Sequence, residues 1–281
     1  MSSRRSPEAR PRDTLVMAGG VAVGIVLALL EPGGLSTLAD QVWAAWAIAA
    51  CTSAGVVWAL GARRWAALPA DARNVRRALT SWPAALLGCA VLVMVVWIAH
   101  DLITGGNWVG PAITLVAYLG IAPTAGLLDA LRHDPADHGN PAGTRLARLI
   151  DDRRAVRGAV AGAGAEIALL TIALGAHLNR TDPTSGWDLR VLGAGIAGTV
   201  AVAMVVAPTT AALDRRGRGL ADRLYPLDGL ERADDIASTL ARRKELDLAT
   251  GADLGLFGEL QRAVIVLTPL IAGATSAWIG S

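Results

Sequence analysis

Long apolar runs alternate with short charged segments along the chain. Seven of these runs reach the roughly 17–25 residues that an α-helix needs to cross the hydrocarbon core of a bilayer. They cover residues 14–30, 40–61, 82–100, 108–130, 157–177, 190–213 and 262–279. The apolar residues are continuous and do not alternate with polar ones as in a soluble domain. The pattern therefore predicts an all-α integral membrane protein, a bundle of about seven transmembrane helices.

The composition agrees with this pattern. Hydrophobic residues make up 53% of the 281 positions and charged residues 18%, whereas soluble domains carry about 25% charged residues. Lys244 is the single lysine, and this alanine- and arginine-rich composition indicates a bacterial protein from a GC-rich genome. The net charge of +2 gives no reason to expect a nucleic-acid partner. Cys51 and Cys89 lie inside apolar runs, where thiols pack as small hydrophobic groups.

The arginines indicate the orientation. With the N-terminus inside, the inner segments and adjoining helix ends hold every basic residue except Arg180 and Arg190. Those segments are 1–13, 62–81, 131–156 and 214–261. Short cytoplasmic loops are enriched in arginine and lysine. We therefore predict an N-in, C-out, multi-pass protein of the bacterial cytoplasmic (inner) membrane.

The chain divides into a basic cytoplasmic N-terminus, 1–13, and a single membrane domain, 14–281. The longest connection, 214–261, is predicted to be cytoplasmic and to contain a basic amphipathic helix. Asp228 and Glu231 have the spacing of a capping box at its start. Its apolar face would consist of Leu230, Ala233, Ala237 and Leu240. Such a helix lies on the inner leaflet, packs beneath the bundle or docks a cytoplasmic or membrane partner; the sequence leaves these alternatives open.

Two segments of the chain resemble each other. APTAGLLD (122–129) and APTTAALD (207–214) each end a predicted span at its inner side. The echo predicts that spans 3–4 and 5–6 form a tandem hairpin repeat, although an alanine-rich chain also produces such echoes by chance.

Three of the prolines inside the spans stand beside a threonine. Pro123, Pro208 and Pro269 each remove one backbone hydrogen bond from their helix, which makes them candidate hinges. The alternative is that neighbouring helices and the adjacent threonines satisfy the freed carbonyl groups.

Glu166 is the one charged residue of the run 158–179 and falls near the middle of the fifth span. An ionised side chain at the bilayer centre costs at least about 2.5–3.5 kcal/mol, so Glu166 should face the bundle interior. Two hypotheses follow. In the first, Glu166 is an intramembrane titratable group that takes up a proton or a cation. In the second, it is a protonated hydrogen-bond donor that joins two helices.

Small residues share the helical face of Glu166. Gly158 and Gly162 precede it at intervals of four residues and would let another helix approach closely. The sixth span, with Gly193, Gly195 and Gly198, is the expected neighbour because it forms the second half of the same hairpin.

No other pattern indicates chemistry. His100, Asp101 and His177 fall at the predicted outer face and are the candidate metal ligands there, although their spacing matches no metal motif. Phosphate-binding loops, zinc-protease motifs and nucleophile elbows are missing, so no cofactor is expected, and an intramembrane enzyme stays a third hypothesis without a motif to support it.

We therefore expect a small-solute or ion transporter or channel, proton-coupled, with Glu166 as its titratable group. The alternative is a non-catalytic membrane subunit or scaffold of a larger export, transfer or envelope assembly, which docks through 214–261. Both place the chain in the lipid bilayer. The sequence specifies neither a substrate nor whether copies form a homo-oligomer.

Overall fold

The computed structural model describes residues 11–30, 34–68, 81–133, 141–181 and 188–250. All regular structure in these ranges is helical, as predicted. The seven helices there are α1 (Pro11–Leu29), α2 (Leu38–Ala67), α3 (Trp82–Thr104), α4 (Val109–His133), α5 (Ala142–Thr181), α6 (Asp188–Leu224) and α7 (Ala233–Thr250).

Four of these helices, α2 to α5, contain apolar stretches long enough to cross a membrane. The apolar part of α1, Thr14–Leu29, is shorter. The described chain thus has the helices of a multi-pass membrane protein, while the count of seven spans and the N-in orientation stay predictions. The seventh predicted span, 262–279, lies outside the described residues, and Pro269 with it.

Two helices extend well beyond the spans expected from hydropathy. Helix α5 begins at Ala142 instead of 157, and α6 continues to Leu224 instead of ending at 213. Hydropathy marks only the section that matches the hydrocarbon, whereas the helix continues where apolar side chains still pack. In these extensions Leu149, Val156 and Leu220 are buried.

The segment 214–261 is therefore not a single connection. Residues 214–224 end α6, and the following helix begins at Ala233, beyond the expected capping box at Asp228. Leu230 precedes α7, so it does not share a helical face with Leu240.

Helix ends are capped by short polar side chains where the sequence supplies them. Thr37 and Asp40 form a reciprocal capping box at the start of α2: the Asp40 amide donates to Thr37 Oγ1 at 3.2 Å, and the Thr37 amide donates to Asp40 Oδ2 at 2.8 Å. Ser81 caps α3, which ends at Gly105 in the left-handed conformation (φ 73°).

Helix α2 lies at the centre of the described bundle and packs against α1, α4 and α5. Glycines allow two of these approaches. A Cβ on Gly24 of α1 would lie 2.8 Å from the Cα of Ile48, and one on Gly120 of α4 would lie 2.7 Å from the Cα of Ala54. In lipid, such close backbone packing contributes much of the attraction between helices.

The buried apolar side chains form two clusters at opposite ends of the bundle. The Trp43 core joins the end of α1, the first half of α2, the start of α4 and the end of α5. The Leu127 core joins the end of α4, the middle of α5 and α6. Successive helices from α1 to α6 therefore alternate in direction. We call the end with the Leu127 core the basic end, since Arg64, Arg132, Arg153 and Arg216 lie there.

Helix α3 lies at the edge of the bundle, with α4 as its main neighbour. None of its apolar stretch Leu87–Thr104 is buried, and Leu92, Val96 and Ile103 are among its exposed side chains. An apolar surface of this size suits lipid contact.

Candidate functional site

Glu166 lies in α5 between the two cores. Its side chain is completely buried (0% exposed), in agreement with the expectation that it faces the bundle interior. Ala159, seven residues before it, belongs to the Leu127 core, and Ala173, seven residues after it, belongs to the Trp43 core. The carboxyl group therefore occupies the middle of the bundle.

The polar surroundings of this carboxyl group come from α2. The Ser53 hydroxyl lies close enough to interact with it, and the Cys51 thiol lies within reach of its charge. Neither carboxyl oxygen, however, has a partner that meets the distance and angle of a hydrogen bond among the described residues. The Ser53 hydroxyl is therefore a polar neighbour of the carboxyl group that lacks the geometry of a full hydrogen bond.

The glycine face that carries Glu166 packs against α2. A Cβ on Gly162 would contact Val57 at 3.6 Å, and one on Gly158 would overlap the guanidinium group of Arg64. The sequence pointed to the sixth span, because hairpin partners are the nearest neighbours along the chain. In the structure α6 also packs on α5, but through another face, where Gly198 lies beside Ile167. Gly193 lies in α6, and its contacts are not among those that the structure describes.

A small void lies between the basic end and Glu166. It has about 10 Å³ of space for the centre of a water molecule, which corresponds to room for one water. Arg64 and Thr124 are the polar side chains of its lining, and Val57, Leu60 and Leu127 are among the apolar ones. Gly158 and Gly162 form the α5 side.

The two echo segments lie side by side at the basic end. Thr209 of the second copy donates a hydrogen bond from Oγ1 to the backbone oxygen of Leu128 in the first, at 3.1 Å. Thr124, the equivalent residue of the first copy, faces Gly61 of α2 and the void instead. The echoed segments thus occupy neighbouring positions with different contacts.

The aspartates that end the two echo segments also have different partners. Asp214 accepts a hydrogen bond from the Arg153 guanidinium at 2.7 Å, and Arg153 is buried. Asp129 lies 3.3 Å from His133 on its own helix. Arg216, two residues after Asp214, donates to the backbone oxygens of Leu131 and Arg132 at 2.8 and 3.2 Å. These contacts tie α4, α5 and α6 together at the basic end.

The candidate hinge residues Pro123 and Pro208 lie inside α4 and α6. Both precede the interhelical contact of Thr209 with Leu128. Their role as hinges stays a prediction.

The candidate metal ligands are placed apart. His177 is buried in the Trp43 core, with its ring centroid 5.8 Å from that of Trp43. His100 is exposed near the end of α3, beside Asp101. Within the described ranges no three side chains of His, Cys, Asp or Glu come together in a way that could hold a metal ion.

Sequence reasoning missed Ser53 and Arg64 as neighbours of the Glu166 face. A signal was available in α2, the helix that carries Ser53 and Arg64, where the small residues Ala47, Ala50, Cys51 and Ala54 recur at helical spacing. Those residues are buried in the structure. Small residues at this spacing are typical of a helix that packs closely against others.

Comparison with known proteins gives no match to a family, to a characterised relative or to a solved structure.

Proposed function

We propose that this protein is a membrane transporter or channel for a small solute or ion, and that its cycle depends on proton exchange at Glu166. The observation that carries the proposal is a carboxyl group that is completely buried in the middle of the bundle and has no hydrogen-bond partner among the described residues. Intramembrane ionisable side chains are costly, and they commonly mark substrate or proton pathways.

The surroundings of Glu166 do not favour the second hypothesis, in which it is a protonated hydrogen-bond donor that joins two helices. A carboxyl group that joins helices should donate a proton to a backbone carbonyl or a hydroxyl oxygen at hydrogen-bond distance. Such bonds do occur elsewhere in the bundle, as between Thr209 and Leu128. At Glu166 the nearby groups are the Ser53 hydroxyl and the Cys51 thiol, and neither forms a bond of the Thr209–Leu128 kind with the carboxyl oxygens. A carboxyl group without such a bond contributes less to helix association and can still bind and release a proton.

Other polar side chains border the same α2–α5 interface. Arg64 and Thr124 line the void on the basic side of Glu166, and His177 lies beside Trp43 on the other side. Mostly apolar residues separate these groups in the described part of the chain. By the positive-inside rule the basic end is cytoplasmic.

The test is flux through the purified protein in liposomes. We expect wild type to move protons, alone or with a solute, and Glu166→Gln to abolish this movement while it folds normally. Glutamine keeps the shape and can donate a hydrogen bond but cannot titrate. Asp151→Asn is the matched control, because Asp151 is an exposed carboxylate of the same helix, and it should leave the flux unchanged.

Two results would contradict the proposal. One is wild-type protein that moves no proton under an imposed pH or voltage gradient. The other is proton movement that persists unchanged in the Glu166→Gln protein.

A second candidate, a subunit that docks a partner through its basic segment, is favoured by the exposure of α7. Arg243 fixes this helix to the end of α6 by hydrogen bonds of 2.8 and 2.6 Å to the Tyr225 backbone oxygen and an ion pair of 2.9 Å with Asp222. Leu240 and Leu248 nevertheless stay 49% and 54% exposed.

Spin labels at Leu240→Cys and Leu248→Cys, in a background without Cys51 and Cys89, test this candidate. If a water-soluble relaxing agent reaches both labels, this face of α7 is exposed to water and is available to a protein partner. Labels accessible to oxygen and shielded from water would place α7 on the lipid and overturn the docking role.

A further inference from the structure

We propose that Arg64 is the charge-selecting residue on the basic side of Glu166, which excludes metal cations while a water-mediated proton relay remains open. The inference rests on the proposed function, and it assigns the proton, in place of a metal cation, as the ion that reaches the carboxyl group from this side.

The guanidinium group of Arg64 is held in a defined position. Its Nη1 donates a hydrogen bond of 2.7 Å to the backbone oxygen of Ala155 on α5. It lies directly over Gly158, where any side chain would overlap it. A side chain at 158 would therefore displace the guanidinium group from its present position.

The void next to this guanidinium lies along α5, on the basic side of Glu166. Gly158 and Gly162 line it, and Gly162 precedes Glu166 by one helical turn, about 6 Å along the axis. Thr124 provides a hydroxyl group from α4, and Gly61 leaves room for that group, because a Cβ there would lie 2.8 Å from Thr124 Oγ1. An ion that approached the carboxyl group from the basic end along this face would pass between Arg64 and Thr124.

This lining is unfavourable for a metal cation. The side chains offer one hydroxyl oxygen, since Val57, Leu60, Leu127 and Ala159 are apolar, and sodium or potassium would have to shed its water for that single ligand. A like charge about 4 Å away, at an effective dielectric constant of about 20, lowers occupancy roughly a thousandfold.

A proton carries the same charge as these cations, but it can cross the void without entering it as a cation. The void has room for one water molecule, and a proton needs one oxygen acceptor at a time. Proton transfer through that water is equivalent to hydroxide moving the opposite way, a charge that a guanidinium group stabilises. Arg64 thus opposes metal cations more strongly than it opposes proton exchange.

Ion selectivity in liposomes tests the role of Arg64. Proton uptake and the uptake of sodium and rubidium are measured for wild type, Arg64→Gln, Arg64→Lys and Arg63→Gln. We expect metal-cation uptake to rise at least about tenfold in Arg64→Gln and to stay at the wild-type level in Arg64→Lys. Arg63→Gln is the matched control. It removes the same charge at the neighbouring position, and the Arg63 side chain does not line the void. Metal-cation uptake that is unchanged in Arg64→Gln would overturn the inference.

A second readout needs no transport and separates this inference from the proposed function. Thr124→Cys is introduced in a protein with Cys51→Ala and Cys89→Ala, and its thiol is reacted from the basic side with two reagents that are not much larger than water, the silver ion and neutral hydrogen peroxide. We expect the silver rate relative to the peroxide rate to rise at least about tenfold in Arg64→Gln and to stay unchanged in Arg63→Gln. A ratio that is the same with and without Arg64, or a thiol that neither reagent reaches, would refute the role even in a protein that moves no protons.

Discussion

Two buried charged residues of α5 have opposite environments. Arg153, at the basic end, is 4% exposed and donates to Asp214 of α6 at 2.7 Å. Glu166 lies 13 positions further along the helix, about 20 Å away, and is completely buried without a hydrogen-bonded partner in the described chain.

This difference separates structure from function. A buried charge costs several kcal/mol of desolvation free energy, which a well-placed partner largely offsets. The Arg153–Asp214 pair meets that condition and ties α5 to α6 where both helices leave the apolar region. The carboxyl group of Glu166 has no ion-pair partner of this kind among the described residues, so we expect an apolar side chain at its position to raise stability. A group that the fold does not need is the better candidate for chemistry.

The largest expected effect is the loss of stability when the Arg153–Asp214 pair is broken. Arg153→Ala leaves Asp214 without its partner, and we expect the free energy of unfolding to fall by about 3 kcal/mol, the low end for a broken buried pair because Asp214 is partly exposed. Denaturant titration in micelles, followed by circular dichroism, measures it. Arg154→Ala removes an exposed neighbour paired with Asp151 at 3.4 Å and should cost less than about 0.5 kcal/mol. Equal losses in the two variants would contradict the assignment.

The second prediction is a gain in stability. Glu166→Met replaces the unpartnered carboxyl group with an apolar side chain of similar size and should raise the free energy of unfolding by about 1–2 kcal/mol. The same titration measures it, with the exposed Glu245→Met of α7 as a control near zero. A loss of stability in Glu166→Met would show that the carboxyl group forms hydrogen bonds with its neighbours, and would favour the hypothesis that it joins two helices as a protonated donor.

A smaller effect compares the two echoed threonines. Thr209→Val removes the buried hydrogen bond to Leu128 and should cost about 1–2 kcal/mol, because the carbonyl oxygen loses a donor. Thr124→Val removes no such interhelical bond within the described ranges and should change stability by less than about 0.5 kcal/mol. Thermal unfolding in micelles compares the pair, and similar losses in both would mean that the echo segments make equivalent contacts.

The smallest effect concerns the glycine face below Glu166. Gly162→Ala places a Cβ at an ordinary contact distance of 3.6 Å from Val57 and should gain about 0.5–1 kcal/mol from helix propensity. Gly158→Ala has the same propensity gain but displaces the Arg64 guanidinium, so it should be less stable than Gly162→Ala. The melting temperatures of the two variants test this difference. Equal values would mean that the position of the Arg64 guanidinium does not depend on a glycine at 158.

Much of the helical architecture was predictable from the chain. Hydropathy located α1 to α6, since each predicted span from 14–30 to 190–213 falls largely on one of them. The extensions of α5 and α6 were not predictable in this way, because their buried residues, such as Leu149 and Leu220, are spaced among arginines and aspartates.

The site was predictable only in part. A lone carboxylate in an apolar span identifies itself by composition, and the glycines before it indicate its helical face. Its neighbours Ser53 and Cys51 could not be assigned, because they lie on a helix far away in sequence. Several spans carry small residues at helical spacing, so periodicity does not say which helix meets which.

The sequence by itself determined where the apolar sections of α1 to α6 lie, which end of the bundle is basic and which span carries the buried carboxyl group. These properties depend on the transfer free energy of local segments, and so are encoded locally. Only the tertiary structure decided that α2, and not α6, meets the Glu166 face, that Arg64 lies over Gly158, and that Arg153 is paired while Glu166 is not. Between helices in lipid the hydrophobic effect is weak and close packing selects the partner. That selection depends on the shapes of two distant surfaces at once.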